Sequence, residues 1–322
     1  MGIAIVVIVI LLVIFLAAAI FFLNMVLQGR PDRKERMQVA LPCEDQAGDN
    51  PGQQTFVANR TRLRAEGAEF DKTMVPVELT NRTGMKLYGR YRLRPTEENC
   101  HDWVISVHGY KDDHRFMLPY VMRFYDRGLN VFTQDNRAHG LSDGKYISMG
   151  WHDKDDVYEW IDYIVSMDPQ ARVIVHGVSM GAATTMMLSG RNHPAVVGYV
   201  EDCGYTSVWD IFETVMNRDY HLPAFPIMHI CSILSNILLK YDYKKSSSLD
   251  QLLKCNNKPI FFIHGEKDNF VPLWMGQKCY ETYKGPKDIY IAPGAGHAES
   301  MDWYPDVYFE KFFAFVDTYC KG

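Results

Sequence analysis

The strongest constraint on the fold is the segment 173–181, which reads VIVHGVSMG. An apolar strand runs directly into the pattern G-x-S-x-G, and the small residues Ala182 and Ala183 then open a helix. In a strand–turn–helix of this kind the serine sits at the tip of a sharp turn, and the glycines let strand and helix approach without a Cβ clash. The segment therefore predicts Ser179 as an exposed nucleophile beside a helix N-terminus that favours negative charge.

Short apolar strands alternate with helical stretches around this segment. They are predicted at 103–107, 131–134, 173–175, 197–200, 260–263 and 289–291. Before them, residues 76–80 and 86–93 alternate around a glycine-bearing turn, which is typical of a hairpin at the edge of a sheet. The pattern predicts an α/β fold with a mostly parallel, eight-stranded sheet that is covered by helices on both faces.

A serine hydroxyl needs a base to remove its proton, so a histidine and an orienting carboxylate are expected elsewhere in the chain. Residues 259–268 read as a strand that ends in a polar loop carrying Asp268. Residues 289–297 read as a further strand whose glycine-rich loop presents His297. Because the order serine, acid, histidine is the one expected after such a turn, these two residues are predicted to complete a triad with Ser179.

Two other carboxylates remain open as the orienting acid. Glu266 lies two residues before Asp268, and Asp202 ends an earlier strand. Acyl transfer also needs two backbone N–H groups directed at the developing oxyanion. Met180, which follows the nucleophile, is predicted to supply one of them. The second is assigned to Tyr110, in a loop where Gly109 permits an unusual backbone turn.

The N-terminal region has a different composition. Residues 3–23 carry no charge, and as a helix they would extend about 31 Å, which matches a bilayer core. Residues 1–27 are therefore predicted to form a single transmembrane anchor. Basic residues within 30–36 follow the anchor, which predicts a catalytic domain on the cytoplasmic side. Residues 28–74 are interpreted as a linker and N-terminal extension, and 75–322 as the catalytic domain.

Cysteine usage and charge exclude several classes of protein. The seven cysteines are scattered singly and form no C-x-x-C pair, which argues against a zinc site and a disulfide framework. Reduced thiols fit a reducing compartment. The formal net charge of -5 provides no basic field for a phosphate backbone, so nucleic acid is not expected as a partner.

Together these motifs resemble the α/β-hydrolase superfamily, and within it the bacterial serine hydrolases of the serine aminopeptidase and monoacylglycerol lipase-like group. The resemblance covers about residues 75–320. It is carried by five motifs, at 108–110, 135–144, 177–181, 264–268 and 296–297. It implies that Arg137 and His139 brace the site, that residues 204–253 form a short lid, and that no metal or organic cofactor is used.

The function expected from these features is hydrolysis of a carboxylic ester, with lipid-like or apolar acyl substrates favoured by the predicted membrane attachment. A second hypothesis is an amidase or aminopeptidase that uses the same triad. It would need an acid in the cleft to hold a substrate amine. A membrane-tethered binding module without catalysis is a third, which an intact set of Ser179, Asp268 and His297 disfavours.

Overall fold

Residues predicted as strands pair into a single sheet in the computed structural model, which describes residues 2–37 and 51–321. The strands are β1 (Val75–Thr80), β2 (Lys86–Arg92), β3 (Asp102–Val107), β4 (Asn130–Asp135), β5 (Arg172–Val178), β6 (Val196–Asp202), β7 (Ile260–Gly265) and β8 (Lys287–Ala292). Their order across the sheet is β1-β2-β4-β3-β5-β6-β7-β8. β1 and β2 form an antiparallel edge hairpin, β2 pairs antiparallel with β4, and the six strands β3 to β8 are parallel to one another. The predicted fold class is confirmed.

Helices cover the sheet on both faces. They are α1 (Gly2–Leu27), α2 (Arg33–Arg36), α3 (Pro51–Asp71), α4 (Leu118–Asp126), α5 (Asp153–Met167), α6 (Met180–Ser189), α7 (Val208–Val215), α8 (Ile227–Leu239), α9 (Ser248–Leu252), α10 (Leu273–Thr282), α11 (Ser300–Trp303) and α12 (Pro305–Phe315). Every residue of β4 and of β7 is buried, as expected for parallel strands with helices on both sides.

The core consists of an apolar layer on each face of the sheet. Along β3, Trp103 and Ile105 belong to one layer, and Val104 between them belongs to the other. This split follows from the two-residue side-chain period of a strand. In α5, Trp160 and Ile161 are buried in the first layer. The two layers fix the carboxyl ends of the parallel strands, where the predicted site residues lie.

The region before β1 contains more regular structure than a tether. Residues 38–50, which include Cys43, lie outside the described ranges. Helix α3 packs against α4 and α11 and buries Phe56, Leu63 and Phe70. Part of the predicted linker and N-terminal extension is thus a helix seated on the catalytic domain.

The predicted transmembrane anchor at 1–27 is not supported by the structure. Within residues 2–37 and 51–321, no helix has the combined length and apolar character of a membrane span. Side-chain exposure changes along α1. Val9 and Val13 are more than half exposed, whereas Ala19, Leu23 and Leu27 are buried. The last turns of α1 pack into an apolar cluster with α7 and α8 and are part of the folded protein.

Candidate active site

Ser179 occupies the sharp turn between β5 and α6. Its backbone has φ 58° and ψ -116°, a conformation that costs energy for a residue with a side chain. Its N–H donates a hydrogen bond to the Asp202 carbonyl oxygen at 2.8 Å. A Cβ on Gly177 would stand 2.2 Å from the Gly181 carbonyl oxygen, and a Cβ on Gly181 would stand 2.0 Å from that of Val107. Neither glycine therefore has room for a side chain.

The structure brings the three predicted triad residues into one row of hydrogen bonds. Ser179 Oγ lies 2.8 Å from His297 Nε2, and His297 Nδ1 lies 2.7 Å from Asp268 Oδ2. The other oxygen of Asp268 accepts the N–H groups of Phe270 at 2.9 Å and Val271 at 2.8 Å. The carboxylate is buried and fixed by its own loop, so it can hold the imidazole in the tautomer that accepts the serine proton.

The two alternative acids have other contacts. Glu266 accepts the Gly294 N–H at 2.8 Å and so braces the loop that leads to the histidine. Asp202 is fully buried, and this burial raises the pKa of its carboxyl group to about 7, with the Tyr308 hydroxyl beside it. A carboxyl group that is half protonated near neutrality stabilises an imidazolium less well than a full carboxylate does. The geometry favours Asp268 as the orienting acid.

The two residues predicted to form the oxyanion hole lie beside the nucleophile. Met180 is the first residue of α6, where a helix N–H has no partner within the helix. Tyr110 follows Gly109, on which a Cβ would stand 3.4 Å from the Ser179 Cβ. The left-handed backbone of this loop is at Lys111, with φ 59°, and not at Gly109. A Cβ on Gly109 would make an ordinary van der Waals contact with the serine, and the expected backbone turn lies two residues later, at Lys111.

Arg137 and His139 act as braces beneath this loop. The Arg137 guanidinium makes two hydrogen bonds of 2.7 Å to the Asp156 carboxylate. His139 Nδ1 donates to the Arg137 carbonyl oxygen at 2.8 Å, and its Nε2 accepts the Lys111 N–H at 3.0 Å. Burial lowers the pKa of His139 to about 4, so the ring is neutral and able to accept. The bracing role implied by the motif agrees with these contacts.

Two groups of side chains in the described ranges have the spacing of metal ligands: Cys203 with Asp268 and His297, and Asp113 with His114 and Asp135. In the first group, His297 Nδ1 and Asp268 Oδ2 are joined by a hydrogen bond of 2.7 Å. In the second, His114 Nδ1 lies 2.8 Å from Asp135 Oδ1. In each group, one carboxylate and the histidine Nδ1 are thus paired with each other.

A cavity of about 280 Å³ opens beside the serine. Its lining is almost entirely apolar and includes Phe22, Val26, Ile211, Val215, Met228 and Phe270. Phe22 and Val26 come from α1, whose sequence alone predicts a membrane segment. No motif marks these two residues, and their only signal in the sequence is apolar character at a four-residue spacing.

Matches to known sequences differ in extent. The family described as serine aminopeptidase, S33, matches residues 98–214. This stretch contains Tyr110, Ser179 and Met180 and ends before Asp268 and His297. The Bacillus subtilis protein YqkD, described as uncharacterized, is 30% identical over 217 residues, which cover 67% of this chain and 71% of that protein.

Solved structures share the fold at low sequence identity. The Pyrococcus furiosus esterase Pf2001 superimposes with a TM-score of 0.62 and 21% identity, covering 77% of this chain and 92% of the esterase. The Pyrococcus horikoshii acylaminoacyl peptidase superimposes with a TM-score of 0.59 and 17% identity, covering 80% of this chain and 44% of the peptidase. Both likenesses concern the architecture of the sheet and its helices.

Proposed function

We propose that this chain, which belongs to the same family as Bacillus subtilis YqkD, is a serine hydrolase that cleaves carboxylic esters through an acyl-enzyme. The observation that carries the proposal is the row of hydrogen bonds from Ser179 through His297 to Asp268. A nucleophile, a base and an orienting acid in this arrangement are the parts that acyl transfer requires.

The first half of the reaction forms the acyl-enzyme. Ser179 Oγ attacks the carbonyl carbon of the ester while His297 Nε2 takes the hydroxyl proton. The carbonyl oxygen gains negative charge and is stabilised by the N–H groups of Tyr110 and Met180. The tetrahedral intermediate then expels the alkoxide, and His297 gives it the proton, so that an alcohol leaves. Asp268 stabilises the imidazolium between these two transfers.

The second half of the reaction releases the acyl group. A water molecule attacks the acyl carbon while His297 takes one of its protons. The bond to Ser179 Oγ breaks, and the histidine returns the proton to the serine. The products are a carboxylic acid and the enzyme in its starting protonation state. The chain needs no cofactor for either half of this mechanism.

The cavity supports an apolar acyl group as part of the substrate. A volume of about 280 Å³ holds on the order of nine groups of water size, at about 30 Å³ each. An acyl chain of roughly eight carbons therefore fits beside the nucleophile. Burying each methylene of that chain contributes about 0.8 kcal/mol, which favours such esters over acetates.

Hydrolysis of an amide by an aminopeptidase mechanism has less support. Capture of a substrate amine requires a carboxylate in the cleft. Among the described residues that line the cavity, Lys111 carries charge and none is an aspartate or a glutamate. The lining therefore favours an uncharged acyl chain over a free amino terminus.

The compartment is a further part of the proposal. The six cysteines in the described ranges are all free thiols. Such thiols persist in reducing compartments, which supports a catalytic domain on the cytoplasmic side. Labelling of these thiols in intact cells with a reagent that does not cross membranes tests this placement, and rapid labelling would argue against it.

The catalytic proposal is tested by hydrolysis of p-nitrophenyl esters from acetate to palmitate by the full chain. Wild-type protein is expected to cleave medium-chain esters, because these fill the cavity beside Ser179. Ser179→Ala is expected to lose activity by about 10⁴-fold or more. Substantial activity in Ser179→Ala would exclude the proposed nucleophile, and inert wild-type protein would exclude ester hydrolysis.

A further inference from the structure

The C-terminal end of α1 is capped by residues of the catalytic domain. The last four carbonyl groups of a helix accept no hydrogen bond from an N–H group of that helix. Here the Tyr110 hydroxyl donates to the Val26 carbonyl oxygen. Lys111 Nζ donates to the Met25 carbonyl oxygen at 3.2 Å. Two of the terminal carbonyls of α1 are thus satisfied by the loop that supplies one of the proposed oxyanion donors.

The chain beyond α1 is held by a second segment of the same domain. The Ile147 N–H donates to the Leu27 carbonyl oxygen at 2.7 Å. The Gly29 N–H donates to the Lys145 carbonyl oxygen at 2.9 Å. A Cβ on Gly29 would stand 2.3 Å from the Ala138 carbonyl oxygen, so the two backbones are in close contact. The end of α1 is therefore fixed by backbone geometry as well as by side chains.

The other side of α1 packs against the segment between β6 and β7. Cys231 Sγ in α8 donates to the Ala19 carbonyl oxygen at 3.4 Å. The rings of Phe22 and Tyr220 meet edge to face, with 5.4 Å between their centroids. The last turns of α1 thus lie between the lid segment and the oxyanion loop, directly over the cavity.

From these contacts we infer that residues 19–27 form a specificity wall of the active site, in which Val26 and Phe22 set the length of the acyl chain. The inference rests on the proposed ester hydrolysis. The two residues are four positions apart and so share one face of the helix. Both are partly buried and line the same cavity as Ser179. A substrate chain that extends from the serine across the cavity meets this face of α1.

The first test narrows the cavity from the α1 side. Val26→Phe in the full chain adds bulk to the wall and is expected to lower the ratio of kcat/KM for octanoate over acetate esters by about tenfold or more, because hydrophobic pockets discriminate by this much per methylene. The matched control is Val13→Phe, the same substitution in the same helix at a residue that is 60% exposed. An unchanged ratio in Val26→Phe with active enzyme would overturn the inference.

The opposite substitution guards against a variant that fails to fold. Val26→Ala widens the cavity and is expected to shift the preferred ester to a longer chain. If the preferred length of Val26→Ala equals that of wild-type protein, the wall does not set specificity and the inference is wrong.

Binding of octanoate, measured by calorimetry, separates this inference from the proposed reaction. Val26→Phe is expected to weaken binding about tenfold, whereas Val13→Phe leaves it as in wild-type protein. If the wild-type protein cleaves no ester, but Val26→Phe binds octanoate more weakly than Val13→Phe does, ester hydrolysis is refuted and the specificity wall is retained. Equal binding by the two variants would refute the wall itself.

Discussion

Two sides of the cavity are built by different means. One side, here called the floor, is lined by Ser179 and by the proposed oxyanion residues Tyr110 and Met180, with His297 and Asp268 hydrogen-bonded in a row behind the serine. The other, here called the roof, consists of residues 19–27 with α7 and α8. The floor is fixed by hydrogen bonds of 2.7 and 2.8 Å and by glycines without room for a Cβ. The roof is held by apolar packing, and its hydrogen bonds are concentrated at the C-terminal end of α1.

This difference predicts different responses to substitution. Hydrogen-bonded catalytic groups act as a unit, and a change in one of them removes most of the rate. Apolar surfaces tolerate changes of volume and lose discrimination before they lose structure. We therefore expect floor variants to slow all esters alike and roof variants to change the ranking of esters. Three further experiments test this division, beginning with the largest expected effect.

Asp268→Asn is expected to lower kcat on every ester by about 10³-fold or more, because the amide no longer stabilises the imidazolium or selects the required tautomer. Its control is Glu266→Gln, in the same loop, where the carboxylate braces the Gly294 N–H. This control should keep most of the activity. Equal losses in the two variants would show that the loop, and not the acid beside the histidine, limits the rate.

Tyr110→Phe tests the residue that joins the two sides. The substitution keeps the backbone N–H of the floor and removes the hydroxyl that donates to the Val26 carbonyl oxygen in the roof. A hydrogen bond contributes about 1 kcal/mol net, so kcat should fall by about fivefold at most. Acetate and octanoate esters should be affected alike, because the loop carries the proposed oxyanion donor. A loss confined to octanoate would place Tyr110 with the roof alone.

A third effect, on stability and not on rate, arises from a buried histidine beneath the floor. Burial lowers the pKa of His176, a β5 residue, to about 3 from an ordinary value of 6.5. Below pH 6.5 the unfolded chain binds a proton that the folded protein does not bind. The free energy of unfolding should therefore fall as the pH drops from 6.5 towards 3, by at most about 1.4 kcal/mol per pH unit from this residue.

His176→Asn removes this proton linkage and is expected to flatten the dependence of unfolding free energy on pH, measured by urea denaturation at pH 7 and pH 5. His221→Asn replaces an exposed histidine and serves as the control. Identical pH dependence in wild-type protein and His176→Asn would contradict the stated role of the buried ring.

The floor could be predicted from the sequence to a large extent. Ser179, Asp268 and His297 each follow an apolar strand and stand next to glycines or short polar loops, and parallel strands bring such loops to one edge of the sheet. The structure brings the three side chains together as this pattern requires. The sequence left Asp202 and Glu266 open beside Asp268 as the orienting acid. Burial and loop contacts, which the sequence does not show, decide among the three.

The roof could not be predicted, because its residues carry no motif. An apolar helix has the same composition whether it faces lipid or lines a cavity, and α1 was interpreted as an anchor for that reason. What identifies α1 as a cavity wall is that its Val26 and Met25 carbonyl groups accept hydrogen bonds from Tyr110 and Lys111. These two residues lie more than 80 positions away in the chain. Such capping between distant segments leaves no periodic signal in the sequence.

The proposed mechanism depends above all on Ser179 as the nucleophile. The most direct measurement is the intact mass of the full chain after treatment with an alkyl fluorophosphonate, which phosphonylates activated serines and releases fluoride. We predict one adduct on the wild-type protein, located by peptide mapping at Ser179, and none on Ser179→Ala. An adduct of equal yield on Ser179→Ala, or no adduct on folded wild-type protein, would contradict the account.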